Sequence, residues 1–128
     1  MSNLLKDPLV EVVFGVKWYI KDKKDYNNIK YLLGDFYNSI KEKYPRREKI
    51  EQEPFLDDSS FDIPMDQFLP SNLDYPNIEL GLNIMELISS YEQYNWSEYR
   101  ESILFSVENL NKTLIPLVNP THYHLSLD

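Results

Sequence analysis

Cysteine and alanine are both missing from the 128 residues, and glycine occurs only at Gly15, Gly34 and Gly81. Without cysteine there are no disulfides, no thiolate metal centres and no cysteine nucleophile. Three isolated glycines cannot build a phosphate-cradling loop, so no nucleotide cofactor, or any other, is assigned. No apolar run approaches the roughly 20 residues of a membrane-spanning helix, which predicts no membrane partner. The opening MSNLLKDPLV lacks a basic segment followed by an apolar core, so a secretory signal is not read and a cytoplasmic location is expected. Basic residues are also absent over a long stretch: from Glu51 to Glu79 there are eight carboxylates and no Lys or Arg. Such a field repels phosphate and argues against nucleic acid along that surface.

What is present starts with Pro8 to Ile20, PLVEVVFGVKWYI. Val10, Val12, Phe14, Val16, Trp18 and Ile20 recur at period two, which predicts a long strand with one buried face. Ile29, Leu32, Leu33, Phe36 and Ile40 recur at spacings of three and four, which predicts a helix from an Asp25 cap to about Tyr44, stopped by Pro45. Arg46, Arg47 and Lys49 then read as cations at the negative end of that helix, or as an anion-binding patch. Residues 52–76, acidic and rich in proline, read as a long loop, with a short strand near Ile50 to Phe55. Asn77 to Ser90 fits both a strand alternation at Ile78, Leu80, Leu82 and Ile84 and a helical stripe at Leu80, Ile84, Leu87, Ile88 and Tyr91; Gly81 and Pro76 tilt it to strand, in two pieces with a bulge near Met85. A second helix is predicted from a cap at Asn95 or Ser97 to about Lys112, with Trp96, Tyr99, Ile103, Val107 and Leu110 inward. Pro116 and Pro120 bracket a connector. Tyr123, Leu125 and Leu127 then alternate in a closing strand.

The net charge of −8 divides unevenly: residues 1–50 hold 11 Lys or Arg against 7 Asp or Glu, and residues 51–128 hold 2 against 14. His122 and His124 could share one strand face as two metal ligands, but two ligands do not make a site. Asp57, Asp58, Ser59, Ser60 and Asp62 supply calcium-type oxygens without the glycine and terminal glutamate that a calcium loop requires. No acid–base pair or nucleophile elbow stands out among the 21 acids. Ten Tyr, six Phe and two Trp exceed what the apolar stripes consume. Tyr37, Tyr44, Tyr75, Tyr91 and Tyr94 are therefore candidates for partial exposure, where aromatic rings anchor protein interfaces.

Pro8 to Phe14, the alternation running on through Trp18, the Tyr94, Trp96 and Tyr99 element entering a helix, and the closing His124 to Asp128 together resemble a known family. It is a sporadically distributed prokaryotic family of uncharacterised proteins, and the similarity covers about 40 residues. The resemblance implies an α+β topology and no particular activity. It also implies that this chain is the N-terminal part of a longer protein, as does an ending in mid-strand at Asp128.

These readings predict a single α+β domain over residues 1–128, with two helices on one face of a mostly antiparallel sheet in the order β-α-(long loop)-β-β-α-β. The expected role is a non-enzymatic interaction or structural module with a protein partner or self-association. The alternative is a ligand-binding or enzyme domain with a pocket between sheet and helix. Trp18, Tyr94, Trp96, Tyr99, His122 and His124 are the candidate pocket or interface residues. A basic patch of Lys21, Lys23, Lys24, Arg46 and Arg47 is the weakest alternative, because nucleic-acid binding needs them on one face.

Overall fold

Alternating side chains make β1 (Glu11–Ile20) two-faced. In the computed structural model, which describes residues 11–20, 23–51, 62–91, 95–118 and 123–127, Val16, Trp18 and Ile20 of this strand are buried. Val12 and Phe14 pack half-buried against the same core, while Val13 and Tyr19 on the opposite face stay more than half exposed. The expected inward set therefore holds from Val12 onward; Val10 lies outside the described residues.

β1 sits between β5 (Ile84–Ser90) and β6 (Tyr123–Leu127), and β4 (Asn77–Leu80), β3 (Asp66–Leu69) and β2 (Arg46–Lys49) extend the sheet beyond β5. The order is β2-β3-β4-β5-β1-β6, and every described ladder is antiparallel. Three helices, α1 (Lys23–Ile29), α2 (Leu32–Ile40) and α3 (Trp96–Leu117), cover the face to which Trp18 turns. One core joins Trp18, Met85, Leu87, Ile78 and Phe68 of the sheet to Ile29, Leu32, Phe36, Ile40, Tyr99, Leu110 and Leu114 of the helices. The fold is α+β.

The helical stripe is as predicted, but its helix is broken. Tyr31 N–H donates to Asn28 O at 3.0 Å, a tight three-residue turn that separates α1 from α2. Asp25 lies inside α1 and is buried, so it is not the cap. Helical structure ends at Ile40 rather than Tyr44. The chain turns there, with Tyr44 N–H bonded to Ile40 O at 2.9 Å, because Pro45 pushes the residue before it out of helical geometry.

Arg46, Arg47 and Lys49 do not extend a helix end. They form edge strand β2; the short strand expected near Ile50 to Phe55 falls mostly outside the described residues. Arg47 Nε donates to the buried carboxylate of Asp66 at 2.8 Å, and Arg46 is held by Pro70 O at 2.8 Å and Leu73 O at 2.7 Å. Both guanidiniums are spent inside the fold. The expected loop 52–76 is likewise corrected, since Asp66–Leu69 within it is strand β3. Phe68 seals that strand to the helices, its ring 5.6 Å from Phe36 and 6.0 Å from Tyr37. The bulge near Met85 is instead a hairpin turn at residues 81–83, closed by Gly81 N–H to Ile84 O at 2.8 Å.

Residues 62–64 strap this turn. Asp62 N–H donates to Asn83 Oδ1 at 2.6 Å and Asn83 Nδ2 returns a bond to Asp62 Oδ1 at 2.8 Å. The Asn83 carbonyl accepts from Trp18 N–H at 3.0 Å, and the Leu82 carbonyl accepts from the Trp18 indole at 3.1 Å. The turn thus ties strap, hairpin and central strand together.

α3 starts at the predicted cap, Asn95 Oδ1 accepting from Glu98 N–H at 3.1 Å. It passes Lys112 and keeps Pro116 in its last turn. Burial of Thr113 and Leu114 holds that turn in place, and a proline there removes a single backbone bond. The inward face is more polar than the periodicity implied. Ser106, Asn109 and Thr113 are buried, each bonded to the carbonyl four residues earlier at 2.7–2.8 Å.

Candidate functional site

Among the candidates whose side chains are described, Trp18 and Tyr99 are buried and Trp96 is exposed. Trp18 is fully buried at the centre of the core, and Tyr99 is buried with its hydroxyl donating to Leu87 O at 2.7 Å and lying 3.2 Å from Val12 O. Tyr99 therefore pins the start of α3 to two strands. Trp96, expected inward, is 57% exposed. It occupies the first position of the capped helix, before the buried stripe begins at Tyr99. His124 in β6 is the ladder partner of Tyr19, and Leu125 that of Trp18. Tyr94 and His122 lie outside the described residues, as do Asp57 to Ser60. Among the exposed-tyrosine candidates Tyr91 is 67% exposed, whereas Tyr44 is buried. Among the described residues, no group of three or more His, Asp or Glu could hold a metal ion.

Two other features were not legible in the spacing. The first is on the sheet face away from the helices. Glu79 and Glu86 are ladder partners on β4 and β5, and Gly15 faces Glu86 on β1. Burial, then Glu86, then Glu11 hold the Glu79 carboxyl above the usual carboxylate range. Glu11 accepts from the Tyr75 hydroxyl at 2.9 Å. Asn77 in the next row is buried with its Oδ1 lacking a hydrogen-bond partner.

Like charges facing each other across a ladder destabilise. Because the Glu79 value is raised on folding, the folded state prefers the protonated acid. Stability on this account is highest below the unfolded carboxylate value of about 4.3 and falls as pH rises through the raised folded value. Glu79→Gln is expected to add about 0.5 kcal/mol at pH 7 and nothing at pH 3.5. Urea melts of both proteins at the two pH values check this, and an equal gain at both would contradict it.

The second feature is a recess of about 220 Å³ where the turn after α2 meets the first half of α3, lined by Lys43, Tyr44, Glu98, Glu101, Ser102 and Phe105. Tyr44 and Phe105 form its aromatic side, stacked at 6.0 Å and 28°. Burial raises the Tyr44 hydroxyl above its ordinary value, and a hydrogen bond with Ser102 partly offsets this. A smaller hollow of about 100 Å³ adjoins it through Glu98 and Ser102 and reaches Pro76, Ser89, Asn95 and Tyr99.

No family model, curated protein or solved structure matches the chain. Function is therefore argued from its own residues. The recess was not legible in the sequence, because Tyr44, read there as a candidate exposed anchor, and Phe105 are far apart in the chain and no spacing joins them. The one local signal is Glu98, Glu101, Ser102 and Phe105 at spacings of three and four, a flank of α3 beside its buried stripe.

Proposed function

We propose that the chain is a non-enzymatic interaction module that meets a protein partner, or a second copy of itself, through aromatic side chains where β5 passes into α3. The observation that carries this reading is Trp96, 57% exposed at the head of a capped helix, with Tyr91 67% exposed at the end of the preceding strand. Large rigid rings bury much area at small entropic cost and recur as interface anchors. The ligand-pocket alternative has less support, since Trp18 and Tyr99 are 0% and 6% exposed and the hollow that reaches Tyr99 is about 100 Å³. Nucleic-acid binding draws no support, since Arg46 and Arg47 are committed to internal partners. A cytoplasmic setting belongs to the same proposal and suits a chain without cysteine. Among the described residues no helix is long and apolar enough to cross a membrane.

The test is a photocrosslinking residue at position 96 of the full chain, with position 112 on the same helix as the comparison, activated in the producing cells. Adducts of defined mass from position 96 alone are the expected result, and a mass of two chains identifies self-association. No adduct, or the same adducts from both positions, would overturn the proposal. Replacement at an exposed first-turn position changes stability by within about 0.5 kcal/mol, so failure to fold does not confuse the readout.

A further inference from the structure

We propose that the recess between the turn after α2 and the first half of α3 is a binding site for an alkylammonium group. An ammonium already rests at this place. Lys43 Nζ, on an exposed turn with water available, lies 4.5 Å from the centroid of the Phe105 ring, within the range in which a cation is drawn to an aromatic face. Lys43 meets only part of what the recess offers. Glu98 and Glu101 line the same space, and neither forms an ion pair within 4.0 Å among the described residues. Two exposed carboxylates stand beside the partly exposed Phe105 ring, which is stacked on the buried Tyr44, and so present charge and a ring face together. Neutral alcohols gain little there, and anions are repelled.

Size narrows the ligand further. At about 220 Å³ the recess is smaller than the roughly 300–1,000 Å³ of pockets for drug-sized molecules. It suits an amine on a short carbon chain, carried either by a free small molecule or by a lysine side chain. Lys43 is then the internal competitor, and an incoming amine must move it off the Phe105 ring. This gives the proposal a signature that a purely structural Lys43 would not show, because removing Lys43 makes binding tighter.

The experiment titrates the full chain with cadaverine, as a free diamine, and separately with Nα-acetyl-lysine methylamide, as a lysine side chain, following backbone amide resonances. Saturable shifts confined to residues around Glu98, Ser102 and Phe105 are expected. Glu98→Gln with Glu101→Gln should weaken binding at least fivefold, Phe105→Leu two- to thirtyfold, and Lys43→Met should tighten it at least twofold. Glu108→Gln, outside the recess on the same helix, should leave it unchanged and so separates site binding from general attraction to an acidic protein. Saturation by cadaverine alone assigns a free amine, by the lysine derivative alone a partner's side chain, and by both the shared group. The inference fails if neither probe saturates, if the shifts spread over the acidic surface, if the Glu98 and Glu101 variants bind like the parent, or if Lys43→Met does not bind more tightly. None of these outcomes bears on crosslinking from position 96.

Discussion

Replacing Trp18 with alanine is expected to cost about 4 kcal/mol and to bring the protein to the edge of unfolding, since domains of this size are stable by only about 5–15 kcal/mol. Two losses combine. The indole is fully buried among Val16, Ile20 and the helix residues, and alanine leaves a hole that a close-packed interior refills only in part. The Leu82 carbonyl also loses the donor that reaches it at 3.1 Å, and an unpaired buried carbonyl costs about 1–3 kcal/mol. Trp18→Phe separates the two terms, keeping most of the volume while leaving Leu82 O unpaired, so it should fall between parent and alanine variant. Urea unfolding followed by circular dichroism measures all three, and a loss below about 1 kcal/mol for Trp18→Ala would show that the core does not centre on this side chain. The same variant leaves Trp96 as the sole tryptophan, and its emission should report a solvated indole.

Gly81→Ala is expected to destabilise by about 3 kcal/mol, a large effect for one added methyl group. A Cβ on Gly81 would overlap the Ile63 carbonyl oxygen and come within 3.0 Å of both the Ile63 carbonyl carbon and Ile84 Cγ2. Two of these atoms are backbone, which cannot swing aside as a flexible side chain does. The strap must move away, and the paired Asp62–Asn83 hydrogen bonds go with it. Gly34, where a Cβ would meet nothing within 4 Å, is the comparison. Gly34→Ala lies inside α2 and should stabilise by about 0.5–1 kcal/mol. Thermal melts of the two variants side by side check the pair. A Gly81→Ala protein as stable as the parent would mean that the strap is not seated on the hairpin.

Strict periodicity made part of this fold legible. β1 alternates cleanly, and the spacing of Ile29, Leu32, Phe36 and Ile40 identifies their buried face even though a turn divides the helix. What periodicity could not reveal is burial earned by partners remote in sequence. Asp66 reads as one more acid in an acidic stretch until Arg47 is placed beside it. The four residues of β3 are too few to show a period between Pro64 and Pro70. Trp96 has the right offset from Tyr99 to be buried, but the helix overhangs the core in its first turn. The recess escaped for the same reason as Asp66, since its aromatic side needs Tyr44, in the turn after α2, and Phe105 of α3 brought together.

The place of β1 inside the sheet also bears on biosynthesis. Glu11 faces Ser90 and Val16 faces Leu127, so the strand is made well before either of its neighbours and waits for them. Until then both edges of β1 carry unpaired backbone groups, while the helices that follow directly can already cover Val16, Trp18 and Ile20, so the exposure that invites mispairing lies along the edges of the strand.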